Sequence, residues 1–439
     1  MKNGCKIKKK GSGGTVTENI ELSDGINLCF SRDRRFRTGA VVVRFLAPLD
    51  IESASAITLL FRVLARGSAL YPTAADIRRR CDMLWGATLY QTSSPIGEIQ
   101  NIGFTATFIN EKFLPPDAGV FDGLCGLIRD VIFNPLLPDG IFSEEYVESE
   151  RENLISELMN EDDKSELCRF RMESNMFDGE KFNICADGEA DRLKKITAQS
   201  LTSFYRSFIR HAPVEVCLFA DIGRDDAIMH IKKIFEGGTR VRRDFPIADV
   251  IRHASGKLRI LSEKRDIFQS RICIGFRTGC VIGDPDYPAF ELMCELLGRS
   301  PTNLLYTNLR ERKRLCYSCS VSTEVFKGLL RVECGCDHRK VRAAYESVFE
   351  VIDSVSSARF SEKSLEDAKK SLISAYRSIS DDPLSDILMK YRQSLSGVQM
   401  SPEEFIRKTE LLTSADIAGV AAKLEADTAF ILGSGETGT

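Results

Sequence analysis

The chain has 439 residues, 43% hydrophobic and 28% charged, which suits a large water-exposed fold of about two or three domains. Its 60 basic and 63 acidic residues leave a net charge of −3, so no global field draws it to nucleic acid. No apolar run approaches the ~18 residues of a membrane span, and no apolar stretch follows the basic start MKNGCKIKKK as a secretory signal would require.

Residues 1–14 read as a flexible basic tail, with Ser12-Gly13-Gly14 leading into the first strand. ENIELSDGINLCFSRD alternates apolar and polar residues about Asp24-Gly25 and predicts a hairpin. TGAVVVRFLA supplies the next strand. In SASAITLLFRVLARGS, residues 53–68, the apolar positions Ile57, Leu59, Leu60, Phe61, Val63 and Leu64 are too dense for a surface helix. They predict a helix buried on most of its sides, with Gly67 placed to cap it in the left-handed conformation. Thr58 and Arg62, four apart, share one face. An Arg is rarely left unpaired in a core, so that face is expected to meet a polar cleft.

A helix over 73–87 follows, then strands in GATLYQTSS and IGFTATFI, and a helix over 115–132 that ends at NPLLP. Ser143 is a good N-cap for a long polar helix, with Glu144 and Glu145 in its first turn. Within that helix Glu150 and Glu157 are one heptad apart and share a face. LKKITAQSLTSFYRSFI is read as helix, VEVCLFADIG as an edge or final strand, and DDAIMHIKKIFEG as a closing helix. The polar, basic stretch GTRVRRDFPIADVIRHASGK then marks a boundary, giving domains over 15–237 and 259–439 joined by a linker at 238–258.

The second half repeats the order of the first. LRILSEKR and QSRICIGFRTG are strands, and DYPAFELMCELLGRSPTNLLY is a helix that lines up loosely with LLFRVLARGSALY. LCYSCSVSTEV and GLLRVECGCD form a hairpin about Phe326-Lys327-Gly328. A helix through HRKVRAAYESVFEVIDSV, two further helices and a last strand, TAFILGSG, complete the chain. The fold class is α+β: two tandem homologous domains, each an antiparallel sheet faced by helices.

This order, with LARGSALY and DIRRRCDMLWGATLY after the buried helix, resembles the insulinase, pitrilysin and mitochondrial processing peptidase family. Active members carry His-x-x-Glu-His on that helix, where two His bind zinc and the Glu activates the metal-bound water. Counted back from Gly67-Ser68, those places hold Thr58, Phe61 and Arg62. A phenyl ring cannot act as a base and a guanidinium repels zinc, so the resemblance implies no catalytic residues and no metal. Glu157 matches the family's third ligand, and its pairing with Arg62 is expected to replace the metal bridge between the two helices. NEDDKSELCRFRMESNMFDGEKF is similar to inactive bacterial paralogues associated with elongation factor P modification.

Leu309-Arg310-Glu311 with Leu315, Tyr317 and Ser318 resembles the family's Leu-Arg-Glu … Leu-Ala-Tyr-Ser motif, whose Arg and Tyr face the active-site cavity. By that resemblance Arg310 and Tyr317 are the substrate-binding residues, suited as donors to a peptide carbonyl or an oxyanion. Arg314 departs from the pattern where a Gly is usual, and Cys316 where an Ala is usual. The family further implies a heterodimer: an active, zinc-bearing paralogue would hold metal and base, while this chain forms half the chamber for an extended peptide. The alternative is a homodimeric peptide-binding or scaffold protein with no proteolytic role.

The 14 Cys are scattered through strands and helices, which reads as reduced thiols of a cytoplasmic protein. Cys316, Cys319, Cys334 and Cys336 fall on the two arms of the second hairpin, with 319 near 334. Alternation should turn residues three apart to opposite faces, so buried apolar thiols are expected there rather than a zinc site. The only His are His211, His230, His253 and His338, none paired at ligand spacing, and no phosphate-binding Gly loop occurs.

Overall fold

In a computed structural model, described for residues 16–236, 240, 242–254, 256–379, 381–398 and 400–433, the chain builds two sheets. The basic tail 1–14 lies outside the described residues. β1 (Val16–Ser23) and β2 (Ile26–Arg32) form the predicted hairpin. With β3 (Thr38–Pro48), β4 (Thr88–Ser93), β5 (Ile99–Ile109) and β6 (Val214–Ala220) they make a sheet in the order β1-β2-β6-β3-β5-β4. One expectation is corrected here. β6 is not an edge strand: it runs parallel to β2 and antiparallel to β3, with all seven residues buried. An apolar run without alternation, VEVCLFA, is what burial on both faces selects.

The helices of this half are α1 (Ala54–Leu64), α2 (Ala74–Met83), α3 (Val120–Phe133), α4 (Glu144–Leu158), α5 (Lys164–Met176), α6 (Ala190–Leu193), α7 (Ala198–His211) and α8 (Arg224–Ile234). Apolar faces of α1, α3, α7 and α8 share one core with Val41, Val43 and Phe45 of β3. Gly67 does not cap α1, which closes at Ala65 in right-handed geometry. Gly67 is small for a different reason: a Cβ there would lie 2.1 Å from the Pro72 carbonyl oxygen.

The second sheet contains β7 (Arg259–Lys264), β8 (Ser270–Arg277), β9 (Cys316–Glu324), β10 (Leu329–Cys336) and β11 (Glu425–Gly433), ordered β7-β11-β8-β10-β9. Each sheet is antiparallel apart from one parallel pair, β2–β6 in the first and β7–β11 in the second. α9 (Tyr287–Cys294) runs on into a π-helical turn, Glu295–Arg299, and a second π segment covers Tyr306–Arg312. After α10 (Val341–Ser356) come α11 (Glu362–Ile379), α12 (Pro383–Ser396), α13 (Pro402–Leu411) and α14 (Ser414–Ala421). Two helices were expected where these four stand. The punctuation lies in the sequence: Asp382, Ser401 and Thr413 each cap a new start, and Pro383 and Pro402 occupy first turns.

The halves exchange helices. α5 packs on β8 and β11 of the second sheet, where Leu167, Met172, Met176 and Phe177 join Cys273 and Phe430. α12 in turn lies on β2, β3 and β6, with Tyr391 donating to Asn101 Oδ1 at 2.6 Å. Between the halves runs a buried ionic network. Lys327, its side chain fully buried, contacts Glu98 and meets Glu180 at 2.7 Å. Glu180 also takes Arg277 at 2.6 Å, and Asp427 takes Arg277 at 3.2 Å and Arg259 at 3.0 Å. Three cations therefore face three carboxylates; Lys327 and Arg277 are buried and so need those partners, while Arg259 stands half-exposed at the rim. Burial raises the Asp427 carboxyl, but hydrogen bonds from Arg259, Thr428 and Arg277 outweigh it and hold the group below its ordinary range. Among the described residues no helix is long and apolar enough to cross a membrane.

Candidate functional site

The helix that would carry the metal, α1, leaves only Ala56 and Arg62 outside the interior. Thr58 does not face an open cleft. It is buried, donating to the Ala186 carbonyl at 2.9 Å and accepting from Gln100 Nε2 at 2.9 Å. Gln100 Nε2 also donates to Ala186 O at 2.7 Å and Ala54 O at 3.1 Å, tying α1 to β5 and to the loop before α6. That loop presses on α1 so closely that a Cβ at Gly188, φ +90°, would lie 2.3 Å from Ser55 Oγ. Phe61 is 0% exposed and packs with Phe45, Phe104 and Phe208 at ring distances of 5.3, 5.9 and 6.4 Å. The place where the family has its base is a seat in the aromatic core.

Arg62 and Glu157 form the expected pair. Nη1 donates to Oε1 at 2.9 Å and Nη2 reaches Oε2, a bidentate clamp between α1 and α4. One turn along, Arg66 donates to Glu150 at 3.0 Å while its guanidinium lies 5.0 Å over the Tyr146 ring. The two heptad-spaced glutamates are thus two rungs, Glu157 held by Arg62 of α1 and Glu150 by Arg66 just past the end of that helix. Hydrogen bonding from Arg62 keeps the Glu157 carboxyl below its ordinary value. Asp187, unremarked in the sequence, stands near enough to feel both: surrounding protein raises its carboxyl, Arg62 lowers it and Glu157 raises it. Zinc does not fit this donor set. Its carboxylate is taken by a cation, the Thr58 hydroxyl is committed to backbone and side-chain amides, and Phe61 points into the core.

Arg310 and Tyr317 lie on the other half. Arg310 sits at the exposed end of the second π segment, over the Tyr306 ring at 5.0 Å. Tyr317 is on β9, the outer strand of its sheet, and is 52% exposed. The pairing of β9 with β10 steps from Gly335–Ser318 to Cys336–Cys316, so Tyr317 has no residue opposite it. This is a bulge, a common device for re-aiming one side chain at a sheet edge. Arg314, where the family has Gly, holds φ +52°, the left-handed conformation that Gly adopts freely.

The bulge also overturns the alternation argument for the thiols. It absorbs one residue, so Cys316 and Cys319 both turn inward, and all four hairpin cysteines are buried. The histidines serve local structure: His230 binds Asp122 at 2.9 Å, His253 binds Glu425 at 2.7 Å, His338 meets Ser270 Oγ at 2.9 Å and His211 meets Ser207 O at 2.7 Å. Among the described residues no group of three or more His, Cys, Asp or Glu side chains is arranged to hold a metal ion.

Over residues 195–372 the chain matches the family model described as the peptidase M16 inactive domain. It is 27% identical over 422 residues to the probable inactive metalloprotease YmfF of Bacillus subtilis, across 95% of this chain and 98% of that relative. The resemblance is thus to M16 peptidases, and to relatives described as inactive. Solved structures share its fold. A conserved protein from Enterococcus faecalis superposes with a TM-score of 0.86 at 24% identity, covering 96% of this chain and 99% of that one. An M16 inactive domain protein from Pseudomonas fluorescens gives 0.77 at 15% identity, covering 96% and 98%. A Helicobacter pylori protease gives 0.76 at 13% identity, covering 95% and 99%.

Proposed function

We propose that this M16 homologue is the non-catalytic subunit of a heterodimeric zinc metallopeptidase. It would form half of a chamber for an extended peptide and present Arg310 and Tyr317 to it, while an active paralogue supplies zinc and base. The observation that carries this reading is a contrast within one chain. The metal position is closed by the Arg62–Glu157 clamp, yet the bulge on β9 leaves the Tyr317 phenol half-exposed at a sheet edge. A peptide laid along such an edge finds backbone groups to pair with, and a phenol there can donate to a carbonyl oxygen.

The test is native purification of the tagged chain from its own host, with mass spectrometry and zinc quantification. A stoichiometric partner bearing His-x-x-Glu-His, with zinc following that partner, is the expected result. Recovery of the chain only with itself and free of zinc would instead favour a homodimeric peptide-binding scaffold. In a reconstituted pair, Tyr317→Phe should lower peptide hydrolysis about a hundredfold, on the scale of one lost oxyanion donor, and leave stability within about 0.5 kcal/mol.

A further inference from the structure

Four cysteines meet on one face of the β9–β10 hairpin. The antiparallel register sets Cys319 directly opposite Cys334 and Cys316 directly opposite Cys336. Cys334 and Cys336 are two apart on β10 and share a face by alternation; the bulge at Tyr317 brings Cys316 to the side of Cys319. Their exposures are 7%, 8%, 3% and 0% for Cys316, Cys319, Cys334 and Cys336. The sulfurs of Cys319 and Cys334 approach to 2.7 Å. Cα atoms facing one another across an antiparallel pair are about 4.5–5.5 Å apart, inside the ~4.4–6.8 Å range that a disulfide spans without moving the backbone.

We propose that Cys319 and Cys334 are a redox modification site that closes to a cross-strand disulfide under a peroxide. The first step makes an S–O bond at one sulfur and breaks the peroxide O–O bond, releasing water. The second thiol then attacks that sulfur, forming S–S, breaking S–O and releasing a second water. Two thiols lose two electrons and two protons, and one hydrogen peroxide becomes two waters. Cys316 and Cys336 form the neighbouring pair, positioned to exchange with the new disulfide through one attacking thiolate. Contact with Cys316 lowers the Cys319 thiol, but its hydrogen bond with Cys334 and burial outweigh that and hold it well above its ordinary value, so oxidation should be slow near neutrality and quicken as pH rises. The closed bond would tie outer strand β9 to β10 just beside the bulge that projects Tyr317. This inference rests on register and burial alone and stands apart from any peptidase partner.

The experiment treats the reduced, desalted full-length chain with hydrogen peroxide, blocks remaining thiols with an alkylating reagent and maps linked peptides by mass spectrometry. The expected product joins the peptides of Cys319 and Cys334, reverts with dithiothreitol and raises the thermal unfolding midpoint. Linkage elsewhere, for example between Cys29 and Cys217, or sulfinic acids without linkage, would overturn the proposal. So would stoichiometric zinc released from the untreated chain by a thiol-blocking reagent, because that would make the four sulfurs metal ligands. The double variant C319A/C334A should lose the peroxide-induced rise in midpoint; retention of that rise would also overturn it. Mapping of the unaltered chain decides the matter if that variant fails to fold.

Discussion

Two ionic junctions hold this molecule together, and they differ in where water is. The Arg62–Glu157 clamp joins α1 to α4 through two contacts, but the Glu157 side chain is 59% exposed. The Lys327 network joins the two halves with a Lys side chain at 0% and Glu98 at 5% exposure. Water screens the first and leaves its energy small; the second has no solvent to replace a lost partner. Good geometry between α1 and α4 is therefore a small source of stability.

The largest expected effect comes from the buried junction. Lys327→Met leaves Glu98 and Glu180 without their shared cation and should cost about 3–5 kcal/mol in denaturant unfolding. A loss below about 1 kcal/mol would mean that water reaches the network and the contrast between junctions fails. Next is Phe61→Ala, which empties an aromatic seat beneath the clamp and should cost about 3 kcal/mol. That result would locate the stability of α1 in its apolar face rather than in its ion pair.

Arg62→Ala should cost about 0.5–1 kcal/mol, and a double-mutant cycle with Glu157→Ala should assign that loss to the pair. An unchanged stability would sink the idea that the pair substitutes for the metal bridge. The sign of its pH dependence follows from Glu157. A carboxylate depressed on folding stabilises above its unfolded value, near 4.5, and that contribution disappears as pH falls through the lower folded value. The gap between the parent and Arg62→Ala should be constant from pH 8 to about pH 5 and close below it. Smallest of all, Arg314→Gly relieves a left-handed backbone and should raise stability by about 0.5–1 kcal/mol. An unchanged or lowered unfolding midpoint would show that Arg314 contacts outweigh the strain.

Particular residues show how far the sequence could be read. The β9–β10 register was legible because a short turn at Phe326-Lys327-Gly328 fixes which residues oppose each other. The clamp was legible only through the family resemblance, which sets Arg62 and Glu157 at two positions that share a metal in active members. Gln100 carried a weak signal, a long amide in an apolar strand, yet its bonds reach Ala54 and Thr58 on α1 and Ala186 in a loop 86 residues away. The Tyr317 bulge left no mark at all, since one extra residue in a strand is invisible until its partner strand is known.

By itself the sequence determined the elements, the loss of the metal-binding residues and the family pattern, because periodicity, capping and side-chain chemistry act over a few residues. The tertiary structure alone decided that β6 and β11 insert centrally, that α5 and α12 cross to the opposite sheet, and that Lys327 meets Glu98 and Glu180. Those outcomes follow from burying two sheets on both faces at once. Such burial joins residues hundreds of positions apart, beyond the reach of any local pattern.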